Sequence, residues 1–107
     1  MPAAVTHDPI LKRFRAALNA LYGDRIERVV LFGSRARGDA HEDSDYDIAV
    51  FLHDLTDYWR EVGRIVEVET DILYDTGAVI NGLVFPAGAY RDRTVFMNEV
   101  RLDGLDL

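Results

Sequence analysis

Residues 32–51 read Phe-Gly-Ser-Arg-Ala-Arg-Gly-Asp-Ala-His-Glu-Asp-Ser-Asp-Tyr-Asp-Ile-Ala-Val-Phe, and two features of this run can do chemistry. Asp45 and Asp47 stand at the start of an apolar stretch. Alternate residues of a strand point to one face, so the pair aims two hard oxygen ligands at a single point. A Mg²⁺ ion arriving with a triphosphate is held in this way, by one or two carboxylates together with phosphate oxygens and water. Ten residues separate Gly33-Ser34 from Asp45. Gly33 lets the backbone come close to a phosphate, and Ser34 adds a hydroxyl at the start of a short helix whose free N–H groups attract anions. A phosphate cradle beside a metal site points to chemistry on a nucleotide. Arg35 and Arg37 are open to two roles: charge directed at the β- or γ-phosphate, or, for Arg37, a tie from the loop to an acid such as Asp43.

These groups need rigid elements on both sides. Ile26 to Phe32 (Ile-Glu-Arg-Val-Val-Leu-Phe) reads as a buried strand that delivers Gly33-Ser34, and Ile48 to Leu52 continues a second strand beyond the acids. Ahead of them, Ile10, Leu11, Phe14, Ala17, Leu18 and Leu21 recur at helical spacing. Asp8 suits the N-cap of that helix, Pro9 its first position and Gly23 its stop. Its basic residues Lys12, Arg13 and Arg15 read as a solvated face.

The Gly-Ser, ten-residue, Asp-x-Asp pattern with Arg37-Gly38 between resembles the nucleotidyltransferases of the DNA polymerase beta superfamily. At 107 residues the chain resembles the minimal nucleotidyltransferases in particular, the antitoxin halves of toxin–antitoxin pairs with HEPN-domain ribonucleases. The resemblance spans nearly the whole chain. It implies an α/β palm-like fold, a mixed sheet packed against helices, with Asp45, Asp47 and a third carboxylate on the following strand side by side. It also implies two Mg²⁺ ions and ATP as substrate. Ions about 3.5–4 Å apart clamp the attacking and leaving oxygens of an in-line displacement.

After the second strand, Tyr58, Trp59, Val62, Ile65 and Val66 form a helical stripe, capped by Asp54 or Thr56. Trp59 at this spacing reads as core, with stacking on an adenine as the lesser alternative. Glu67 to Tyr74 switches to period two and reads as a strand, with Val68, Thr70 and Ile72 on one face and Glu67, Glu69 and Asp71 on the other. The resemblance implies that Asp71, followed by the apolar Ile72-Leu73 of the matching pattern, is the third carboxylate, with Glu69 its rival on the same face, one register step away. Val79 to Phe85 reads as a further short strand ended by Pro86 and Gly88, and about Arg91 to Asp103 as a last helix stopped by Gly104. A partner is expected to dock away from the carboxylates, on this last helix and the tail, where Leu105 and Leu107 offer apolar contacts.

Composition narrows the options. A chain of 107 residues, 49% hydrophobic, supports one domain with a modest core, residues 1–6 being loose, and leaves no room for a second domain to hold an acceptor. The net charge of −7 argues against a nucleic-acid surface, which needs clustered Lys and Arg. With no cysteine there is no disulfide or thiolate site, and His7, His41 and His53 lack zinc-type spacing. Nothing near Met1 reads as a signal peptide and no run is long enough to span a bilayer, so the cytoplasm is the default.

The resemblance makes transfer of AMP from ATP to a hydroxyl the leading expectation, with a tyrosine of a HEPN toxin as acceptor in a hetero-oligomer. A non-catalytic antitoxin that neutralises its partner by covering it is the alternative, and its acidity suits a basic, RNA-cutting partner. Transfer to a small molecule such as an antibiotic is weakened by the missing acceptor domain.

Overall fold

The computed structural model describes residues 7–107, so the looseness expected of residues 1–6 lies outside the described residues. Helix α1, Pro9–Tyr22, forms as its punctuation predicts. The Asp8 carboxylate accepts from the Ile10 amide at 2.8 Å, Pro9 occupies the first turn, and Gly23 ends the helix at φ 51°. Its stripe of Leu11, Phe14, Leu18 and Tyr22 is buried. Strand β1, Ile26–Phe32, runs to Gly33, and a single helical turn, α2, Ser34–Arg37, follows it. Strand β2 is Tyr46–Leu52.

Beyond β2 the structure departs from the period-two expectation. One helix, α3, Tyr58–Thr76, replaces the short helix and the strand expected at Glu67 to Tyr74. Asp57 caps it by accepting from the Arg60 amide at 3.1 Å, in place of Asp54 or Thr56. Gly77 ends it in the left-handed conformation. The inward stripe is Glu61, Ile65 and Ile72, with Val68 packed against the core beside them. A charged residue lies on that buried face, so a search for apolar residues alone slips the stripe round the helix to Tyr58 and Trp59. Glu61 is neutralised where it sits, by Arg25 at 3.0 Å and Arg64 at 3.4 Å. Trp59, expected in the core, is 77% exposed and packs edge-on against Tyr58.

Strand β3, Ile80–Pro86, helix α4, Val95–Asp103, and a short β4, Leu105–Asp106, complete the fold. The sheet order is β3-β2-β1-β4. β1 is antiparallel to both its neighbours, and β2 and β3 are parallel, joined by the α3 crossover. The sheet is mixed and the fold is α/β, as the resemblance implied. Helices α1 and α3 cover one face, meeting Leu31, Ile48 and Val50, while α4 covers the other through Met97 and Val100 against Val30, Ala49 and Phe51. Being covered on both faces, β2 reads as an unbroken apolar run from Ile48. Leu105 and Leu107, expected to face a partner, pack against the α1/α3 core instead, and the Leu107 amide donates to the Val29 carbonyl at 2.9 Å.

Candidate functional site

β1 and β2 pair so that Phe32 lies opposite Asp47, which brings the turn at Gly33-Ser34 against the start of β2. Gly33 has φ 76°, a conformation that only glycine adopts without strain. A Cβ built there would stand 2.5 Å from the Asp47 Oδ2. The space above Gly33 is thus filled by a carboxylate, and the glycine is needed for Asp47 as well as for any phosphate. Asp45 is exposed just ahead of β2, while Asp47 is half-buried on the sheet face that α4 covers further along. Burial raises the Asp47 carboxyl above its ordinary range and repulsion from Asp45 adds to this, while the Asn81 amide and Arg37 act in the opposite direction. A divalent cation between the two carboxylates would relieve that repulsion.

The loop carrying Asp45 is braced from beneath. Arg35 donates to the carbonyls of Ser44 at 2.9 Å, Glu42 at 3.1 Å and His41 at 3.4 Å, and its guanidinium lies 3.9 Å from the centre of the Tyr46 ring. The Tyr46 hydroxyl donates to the N-capping Asp8 at 2.8 Å, and burial, then that hydrogen bond, push its pKa to about 12. The Ser44 Oγ closes the turn by accepting from the His41 amide at 2.8 Å. Arg35 therefore holds the loop, a role that sequence reasoning missed because its partners are main-chain oxygens. Arg37 is tied to acids, though to Asp39 at 3.2 Å and Asp103 at 3.1 Å rather than to Asp43, which fastens α2 to the end of α4.

The third carboxylate is not where the period-two reading put it. Asp71 is exposed on helix α3, in the layer against the opposite face of the sheet. Glu69, its rival, lies on the same helix and accepts from the Gly82 amide at 2.8 Å. Burial there pushes its carboxyl up to about 7. The strand that runs beside β2 is β3, and its register sets Asn81 against Asp47. Paired residues of adjacent strands share a face, so the side chain next to the two acids is a neutral amide. Among the described residues no three or more His, Asp and Glu side chains gather at one point. The signal that places Asn81 is the Asp57 cap and the Gly77 stop, which together make residues 58–76 a single helix and move the following strand to 80–86.

Comparison with known proteins gives the family and the fold. The nucleotidyltransferase domain family model matches residues 11–100. Two proteins of Methanocaldococcus jannaschii are similar in sequence, both named as candidate protein adenylyltransferases. MJ0604 is 36% identical over 80 residues, covering 75% of this chain and 74% of that protein, and MJ0141 is 26% identical over 98 residues, covering 92% and 95%. Among solved structures, a candidate nucleotidyltransferase from Sulfolobus solfataricus superposes with a TM-score of 0.64 at 19% identity, over 91% of this chain and 75% of that one. A toxin–antitoxin complex with AMP-PNP gives 0.63 at 21% identity, over 89% and 69%. A variant of the MntA–HpeT toxin–antitoxin gives 0.64 at 19% identity, also over 89% and 69%.

Proposed function

Because this chain belongs to the nucleotidyltransferase domain family, we propose that Asp45 and Asp47 serve the transfer of AMP from ATP to a hydroxyl of a partner protein. The observation that carries the reading is the packing of Asp47 onto Gly33, with Asp45 near enough to Asp47 to repel it. In the reaction the acceptor oxygen bonds to the α-phosphorus, the bond from that phosphorus to the α–β bridging oxygen breaks, pyrophosphate leaves, and the acceptor proton passes to solvent. Ser34 donates to the triphosphate, while Arg35 and Arg37 act on it indirectly by fixing the loop and α2. The donor set suits one Mg²⁺, which Asp45 and Asp47 would hold and which would neutralise the phosphate charge.

The choice of AMP rests on the two relatives named for adenylyl transfer and on the AMP-PNP in a structural neighbour. The partner is a toxin, as in the neighbouring toxin–antitoxin structures. Following the family resemblance, it is a HEPN-domain ribonuclease with a tyrosine as acceptor. An added AMP near a ribonuclease centre brings bulk and negative charge, and so silences it. Incubating the chain with Mg²⁺, labelled ATP and the product of the adjacent gene tests this. Label is expected on that product, with its intact mass raised by one or more AMP units, and an unlabelled product under conditions where the two proteins bind would refute the transfer.

One observation favours a second reading. The amide of Asn81 stands where a third carboxylate is expected, which suits a site that binds nucleotide without fast chemistry, in an antitoxin that neutralises its partner by covering it.

A further inference from the structure

The side chains that the sheet sets beside Asp47 are fixed by strand register. Asp47 is paired with Phe32 on one side and with Asn81 on the other, so its lateral neighbours on the sheet face are an aromatic ring and an amide. Asp45 precedes it on the same strand line. The two remaining acids from the sequence pattern are accounted for elsewhere: Asp71 is exposed on α3, and the Glu69 Oε2 accepts from the Gly82 amide. A Cβ at Gly82 would lie 2.6 Å from that same oxygen, which places Glu69 hard against the far side of β3. Asn81 is exposed, so nothing in its packing excludes an acid of the same size.

We propose that this site takes a single divalent cation with the triphosphate, held by Asp45 and Asp47, and that Asn81 is the residue that withholds a second. The inference rests on the nucleotide reading above. Mg²⁺ keeps several waters and needs only one or two carboxylates when phosphates complete its shell, which two aspartates provide. A second ion, close to the first, would bring two further positive charges to a point where β3 offers an amide oxygen in place of a carboxylate. Asparagine presents no charge to offset them.

Equilibrium dialysis of the full chain against Mn²⁺ with saturating α,β-methylene ATP, whose α–β bond cannot be cleaved at the transferred phosphorus, counts the ions directly. Wild type should retain one nucleotide-dependent Mn²⁺ per chain. Asn81→Asp should retain two, the second at least about tenfold tighter than any further ion on wild type, as an added carboxylate requires. Two ions on wild type would overturn the inference while leaving the nucleotide site standing. A count of one on a folded Asn81→Asp variant would remove Asn81 from that role. If folded wild type binds neither α,β-methylene ATP nor Mn²⁺ with it, the nucleotide reading falls and the ion count with it.

Discussion

Asp47 is constrained from three directions, by Gly33, Asp45 and Asn81, and each constraint has a measurable consequence. Asp45→Asn or Asp47→Asn keeps side-chain size and removes a charged ligand, so nucleotidyl transfer should fall by roughly a thousandfold or more while thermal unfolding stays near that of wild type. Near-normal transfer by both variants would remove the metal reading. Ser34→Ala loses one hydrogen bond to phosphate and should weaken nucleotide binding by about 1–1.5 kcal/mol in titration calorimetry. Gly33→Ala is a fold variant as much as a site variant. At φ 76°, with its Cβ aimed at the Asp47 carboxylate, it should lower stability by roughly 1–3 kcal/mol in urea denaturation. These residues were legible in the sequence because the motif is local: two strands and one turn place it within a short stretch of chain. The neighbour on β3 was not, because Asn81 reaches Asp47 only through the register of a parallel strand far along the chain.

Among the elements, α1 could be read from its ends, since Asp8, Pro9 and Gly23 each act on their own helix terminus. Helix α3 could not be read from apolar periodicity, because Glu61 occupies its buried face while Trp59, Val66 and Leu73 are exposed. Eight residues that alternate polar and apolar then look like a strand, although Ile65, Val68 and Ile72 also follow helical spacing. Glu69 offers a test at this scale. Its carboxyl is raised from 4.5 to about 7 by burial, so the folded state holds the proton that the unfolded chain releases. This group's contribution to stability is therefore greatest below about pH 4.5, falls as pH rises through 7, and is flat beyond that. Glu69→Gln keeps an acceptor for the Gly82 amide and removes the charge. After discounting for partial exposure, the variant should be about 1–2 kcal/mol more stable than wild type at pH 8, and the difference should close towards pH 4.5. Urea melts of the two proteins across that range supply the comparison, and parallel pH profiles would show that Glu69 is not the group responsible.

At the scale of the whole molecule, the acids lie at one end of the sheet, while the tail expected to meet a partner is built into the core through Leu105 and Leu107. Exposed apolar side chains lie along α3, where Trp59 is 77% and Tyr74 83% exposed, on the layer opposite the face that carries Asp47, and on α4, where Val95 is 80% and Leu102 85% exposed. Asp45 and Asp47 belong to neither apolar surface, so docking and chemistry should be separable by mutation. A double Asp45→Asn, Asp47→Asn variant should still bind the proposed toxin partner with an affinity close to wild type, since neither change alters an exposed apolar side chain, yet it should fail to protect cells that express that partner. Toxin purified after exposure to wild type should be heavier by AMP units and stay inactive once this chain is stripped away, because a covalent ester outlasts the complex. Toxin exposed to the double variant should keep its mass and recover its ribonuclease activity on separation. Full protection by the double variant, with no mass change from wild type, would instead establish neutralisation by cover, the reading that the neutral Asn81 beside Asp47 favours.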